Sequence, residues 1–146
     1  MTSFTVRTVS RRPAAALFDA ALDLGLHTAS QARSGERVVR GPASGQLGLG
    51  DEVTWRARHL GLWWTMTAAV TEFERPTRFV DEQVRGPFSS FRHEHRFEEH
   101  ESGTSMTDTI EFTAPLGVPG RAVAALVLRP YLRRLIARRG EFLAHG

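Results

Sequence analysis

The sequence predicts an α+β fold: a curved, seven-stranded antiparallel sheet wrapped around a long C-terminal helix, with one or two short helices after the first strand. Three stretches predict it. Arg78 to Phe112 alternates apolar and polar residues over three strand lengths separated by turn residues. Asp51 to Phe73 alternates in the same way around Leu60-Gly61. Val118 to Leu143 instead repeats its apolar residues at helical spacing, through Val123, Leu126, Val127, Leu132, Leu135, Ile136, Phe142 and Leu143. At ~1.5 Å per residue such a helix crosses a whole sheet.

Taken in order, Ser3 to Val9 is the first strand. Ser10-Arg11-Arg12-Pro13 breaks it, and Pro13 suits a helix start. Ala14 to Leu24 carries Leu17, Ala21 and Leu24 on one stripe, with Gly25 as its stop. Leu26 to Arg33 is a short second helix, closed by Ser34-Gly35. Glu36 to Arg40 is a strand, and Gly41 to Gly50 is a glycine-rich loop containing Pro42. That loop has no lysine and no phosphate-cradle pattern. In the hairpin that follows, Val53 faces Ala68, Trp55 faces Met66 and Ala57 faces Trp64. Val53, Trp55, Ala57, Leu62, Trp64, Met66 and Val70 point inward, and Trp63 points out. Arg75-Pro76 turns the chain into Arg78–Phe112. Pro130 kinks or divides the last helix.

The register of Arg78–Phe112 decides which side chains share a face, because a slip of one residue inverts a strand. A two-residue loop at Gly86-Pro87 sets Val80 opposite His93, Glu82 opposite Phe91, and Asp81 opposite Arg92 on the far face. The next turn lies near Glu101-Ser102-Gly103. The inner face then collects Val80, Glu82, Val84, Phe91, His93, His95, Phe97, Met106, Asp108, Ile110 and Phe112.

The chain has 146 residues, a length suited to one domain spanning 1–146. Cysteine is absent, which excludes disulfides, thiolate catalysis and cysteine metal sites. All 19 basic residues are arginine and the net charge is only +3, with no accompanying nucleic-acid motif, so no nucleic-acid partner is expected. There is no secretory signal order and no run of ~18–20 apolar residues for a membrane span. The expected location is cytoplasmic, without stable membrane insertion, as a monomer or homodimer.

The element order, with VTWRARHLG (Val53–Gly61), FVDEQVRGPFSSFRHEHRF (Phe79–Phe97), GTSMTD (Gly103–Asp108) and PLG (Pro115–Gly117), resembles the START-like superfamily, also called SRPBCC or helix-grip proteins. It is most similar to the bacterial polyketide cyclase/dehydrase-like ligand-binding group. The resemblance covers essentially the whole chain. It implies a hydrophobic cavity between the sheet and the last helix, and it transfers no catalytic residue.

Candidate chemistry lies on the inner face. Glu82, His93, His95 and Asp108 combine carboxylates with imidazoles, the pairing that acid/base catalysis of enolisation, aldol closure or dehydration requires. The same groups serve equally as a satisfied buried network or as a polar end for a ligand. His93-x-His95 with Asp108 or Glu82 has the composition of a metal site, but strand His-x-His is common without metal, and no metal or cofactor is expected. Trp55, Trp64, Met66, Val80, Phe91, Phe97, Met106, Ile110 and Phe112 join the polar four as the expected ligand-binding set. His27, His59, His100 and His145 read as loop or terminal residues, and the arginines of Arg129–Arg139 as a solvated helix face. The expected function is binding, transport or sequestration of a small hydrophobic or polyketide-like molecule. The alternative is an aromatase/cyclase or dehydratase using the Glu/His cluster.

Overall fold

A computed structural model describes residues 1–41 and 45–145. The expected position of Pro42 in a loop lies outside the described residues. The seven strands are β1 (Thr2–Ser10), β2 (Arg37–Arg40), β3 (Glu52–His59), β4 (Leu62–Glu74), β5 (Arg78–Arg85), β6 (Ser90–His100) and β7 (Gly103–Thr113). They form one antiparallel sheet in the order β1-β7-β6-β5-β4-β3-β2. The 29 residues from Gly117 to His145 make the long helix: α3 (Gly117–Val123), a π-helical turn (Ala124–Leu128) and α4 (Arg129–His145). This is the helix-grip arrangement.

Two helices follow β1 as expected, but the boundary between them is displaced from Gly25. α1 spans Ala14–Ala21 and α2 spans Leu24–Ser30, so Gly25 sits in the first turn of α2 and does not end α1. The break falls at Leu22-Asp23 because the Asp23 carboxylate accepts from Leu26 N–H at 2.9 Å. Leu22 C=O also accepts from Leu47 N–H, and Leu24 N–H donates to Gly45 C=O, so a distant loop fixes the break. α1 starts after Pro13, whose side chain caps nothing. Glu99 from β6 accepts from Ala14 N–H instead. Pro130 has the expected effect in a specific form. It lacks an N–H, and the π turn just before it absorbs the lost helical bond.

The inner face of the sheet is covered unevenly. α1 packs Phe18 edge-to-face onto Phe73, Phe79 and Phe97 at ring separations of 5.3–5.5 Å. Phe4, Ile110 and Phe112 pack against Ala124 and Ile136 of the long helix. The β1–β7 half is therefore solid, and the half built by β3, β4 and β5 is not.

α4 lies so close to β1 that a Cβ on Gly140 would collide with Thr8 Oγ1. Gly140→Ala should destabilise the protein by about 1–3 kcal/mol in denaturant melts, as overpacking does. Combining it with Thr8→Ala, which removes that oxygen, should recover part of the loss. Equal losses with and without Thr8 would show that the approach is not a constraint.

Candidate functional site

The hairpin β5–β6 sets the site, and its register departs from expectation by one residue. Asp81 pairs with His93 and Glu82 with Arg92, whereas the two-residue loop requires Val80 opposite His93. The cause is Gln83. Its amide donates to Phe88 C=O at 2.8 Å and its carbonyl accepts from Phe88 N–H at 3.3 Å, holding an extra residue in the loop. Gly86 allows this, since a Cβ there would strike the Gln83 side chain.

The slip inverts β5. Val80 and Glu82, expected inside, lie on the outer face. Val80 is still fully buried: it pairs between Glu72 and Glu94, beneath the ion pairs those residues make with Arg78 at 2.8 Å. The expected Asp81–Arg92 pair does not form, and Arg92 meets Glu72 at 3.1 Å. Asp81 and Phe79 take the inner face. β6 and β7 keep the faces expected of them, in the register Phe91↔Phe112, His93↔Ile110, His95↔Asp108 and Phe97↔Met106.

A cavity of about 470 Å³ lies between β3–β6 and the long helix, within the size range of small-molecule sites. Of the expected ligand-binding residues, Trp55, Trp64, Met66, Phe91, His93 and His95 line it. Phe97, Met106, Ile110 and Phe112 do not, because α1 and the long helix cover them as solid core. Asp108 does not reach the cavity either. It lies behind the two histidines, 1% exposed.

At the deep end, His93 Nε2 is 2.7 Å from Asp108 Oδ1, and His95 Nε2 is 2.7 Å from Asp81 Oδ2. The imidazoles stack at 3.7 Å, and His95 stacks on Phe79 at 4.0 Å. His95 Nδ1 stands 3.2 Å from Asp108 Oδ1, so this ring lies between two carboxylates. Arg139, expected on a solvated face, is 4% exposed. It donates to Ala21 C=O at 3.0 Å and approaches Asp108 at 3.9 Å.

These contacts fix the charges. Burial pushes His93 down to about 4, aided by the neighbouring His95 cation, so His93 is neutral at pH 7. Burial opposes a charge on His95 too, but hydrogen bonds and charge from Asp108 and Asp81 prevail and raise it. Burial likewise opposes ionisation of the carboxylates and is outweighed by the histidines, leaving Asp81 down at about 2 and Asp108 well below the usual carboxylate range. Two anions, Asp81 and Asp108, thus balance two cations, His95 and Arg139. Because Asp108 is ionised, neutral His93 donates through Nε2–H, and its Nδ1 keeps a lone pair.

A second polar station sits nearer the hairpin tip. His59 Nδ1 meets Tyr131 OH at 2.8 Å, and His27, stacked on Trp55 at 4.1 Å, meets Glu36 at 2.6 Å. His27 and His59, expected as loop residues, line the cavity. Tyr131 and Arg139 are eight residues apart on α4, so the two stations lie about 12 Å apart along the helix axis.

Asp81, His93 and His95 are the described residues that could offer a metal one atom each, within 4.8 Å of one another. Two of those side chains are already joined at 2.7 Å, His93 Nε2 is held by Asp108, and the Arg139 cation stands beside them. A dication would have to displace those pairs.

A family model described as polyketide cyclase / dehydrase and lipid transport matches residues 1–143. The chain belongs to that family. Its fold is shared with a crystal structure of TTHA0849 from Thermus thermophilus, at 14% identity and TM-score 0.79 over 98% of this chain and 94% of that one. Major latex-like protein 151 from Panax ginseng is similar at 13% identity and TM-score 0.71, over 99% and 96%. Protein Ms6760 from Mycobacterium smegmatis is similar at 16% identity and TM-score 0.70, over 97% and 88%. No curated protein matches the chain by sequence. Among the described residues, no helix is long and apolar enough to cross a membrane.

The two histidines give stability opposite slopes. Between pH 6.5 and about 4 the unfolded chain protonates His93 and the folded protein does not, so stability falls as pH falls. Above pH 6.5 the folded protein retains the His95 proton that the unfolded chain has lost, so stability falls as pH rises through the raised value. Denaturation midpoints across a pH series should therefore peak near pH 6.5. His93→Gln should flatten the acid limb; an unchanged acid limb would remove His93 from the account.

Proposed function

We propose that this member of the family binds a small hydrophobic, polyketide-like molecule in the cavity between the sheet and the C-terminal helix, for transport or sequestration. The supporting observation is the cavity itself. Most of its wall is apolar, from Val53, Ala57, Met66, Leu132 and Ile136 among others, and the ionised groups at its Asp81–His95 end are paired with one another. Burial of an apolar body contributes roughly 25 cal/mol per Å². The paired groups meet the ligand's polar atoms without stranding an ion. Family membership supports ligand binding in general; the polyketide-like character is our own reading.

One feature favours a second reading, an aromatase/cyclase or dehydratase. Neutral His93 faces the cavity with a lone pair on Nδ1 while Asp108 holds Nε2–H from behind. That is how a general base is oriented for proton abstraction. In this reading Asp81 and Asp108 take the part expected of Glu82.

Native mass spectrometry of protein purified from its own host should show a carried small molecule, and apolar ligands should raise the melting temperature. Ala57→Phe projects a ring into the cavity and should abolish both effects while preserving a cooperative fold. A filled-cavity variant that binds as well as the parent would sink the proposal. If a substrate is found, Asp108→Asn should lower turnover at least about tenfold, because it removes the group that orients the base.

A further inference from the structure

We infer that the mouth of the cavity is a docking surface for an anionic lipid bilayer, touched by both lips of the opening. The contact is peripheral, since none of the described helices is long and apolar enough to span a membrane. It does not depend on which guest the cavity holds.

Three chain segments meet at this end of the sheet. They are the β3–β4 tip, the β5–β6 tip, and the stretch from the end of β7 through the π-helical turn. Each lends a residue to the wall of the same cavity: Leu60, Phe88 and Leu116 respectively. Residues 57–67, 83–91 and 113–129 hold ten of the fifteen large apolar side chains exposed among the described residues. Leu62, Val118 and Leu126 are 59%, 67% and 77% exposed. Single exposed apolar residues need no explanation, but a gathering around a cavity mouth marks a contact surface. The helical lip is the clearest case. Every residue from 115 to 127 except Arg121 is apolar, glycine or proline, yet only Gly120 and Ala124 among them are buried. A helix that is apolar on all sides belongs inside a protein or against another apolar phase. This one rests on a narrow stripe and leaves the remainder uncovered.

Charge selects the partner. The chain has 16 acidic residues, and none falls in these three segments. Four arginines do: Arg58, Arg85, Arg121 and Arg129, all exposed. A second copy of the chain would bring the same cations against these, so the surface opposes its own dimerisation. An apolar surface interspersed with arginine suits a bilayer that carries anionic headgroups. The apolar side chains enter the boundary between headgroups and acyl chains, while the guanidiniums meet phosphate. Because the mouth opens within this surface, an apolar guest passes between cavity and acyl chains without crossing water.

The test is co-sedimentation of the full-length protein with two kinds of extruded vesicle, pure phosphatidylcholine and phosphatidylcholine containing about one third phosphatidylglycerol. The anionic vesicles should bind it at least about tenfold more strongly, and added salt should weaken that binding. The combined variant Leu62→Gln, Val118→Gln, Leu126→Gln changes no charge. It should keep its melting temperature and lose at least about tenfold in vesicle binding. Arg58→Gln with Arg121→Gln should instead erase most of the preference for anionic vesicles. No association of the unaltered protein with anionic vesicles overturns the inference, whatever the variants do. So does a glutamine variant that binds vesicles as well as the parent. A parent that sediments as a dimer, ignores vesicles and becomes monomeric in the glutamine variant also overturns it, and assigns the surface to a second copy. The three substituted side chains do not line the cavity, so failure here leaves the ligand-binding reading standing.

Discussion

The buried Asp108 carboxylate is the interaction on which the site depends. It comes from β7, receives His93 and stands beside His95, both from β6, and faces Arg139 from the long helix. An ion in this position is costly unless paired, so its partners are held as firmly as it is. His95 carries the linkage on to Asp81 of β5, and Arg139 carries it to Ala21 at the end of α1. One carboxylate thereby ties three adjacent strands, the long helix and α1 into one geometry. It also sets the tautomer of His93, which determines what the cavity presents to a guest.

The sheet was legible because alternation is a strong signal and because both faces of the β3–β4 hairpin carry distinct residues. Its register matches the pairing expected from Leu60-Gly61 alone. The β5–β6 register was not legible from Gly86-Pro87. Backbone turn rules favour a two-residue loop, but a side chain, Gln83, holds Phe88 and adds one residue. The expected inner face of β5 was itself plausible: Val80, Glu82 and Val84 alternate as well as Phe79 and Asp81. Val80 is buried even on the outer face, so its apolar character could not distinguish the two registers.

Arg139 was missed for a different reason, and the sequence did hold its signal. Ile136, Gly140 and Leu143 flank it at spacings of three, one and four, which places it on the helix's buried stripe. Read as one of several arginines in a charged run, it looks solvated. Read by phase, it lies on the same stripe as its buried neighbours. His59 also held a signal, since it continues the inward alternation of Val53, Trp55 and Ala57 on β3, whereas His27 held none, because its burial comes from stacking on Trp55, remote in the chain.

Core and cavity wall cannot be told apart by composition, since both want large apolar side chains on the concave face. The difference comes from what covers them. Phe18 of α1 fills the space over Phe79 and Phe97, and Ile136 and Ala124 fill the space over Ile110 and Phe112. Trp55, Met66 and Phe91 instead line the void, together with His27, which stacks on Trp55. The ion cluster stands at the boundary between the filled and empty halves. Phe79 and His95 form that boundary wall by stacking on each other, so the polar end is backed by close-packed core. A ligand entering the empty half thus meets a rigid, charge-balanced wall. The apolar remainder of the cavity supplies burial area, and the polar wall supplies the fixed points against which a guest is oriented.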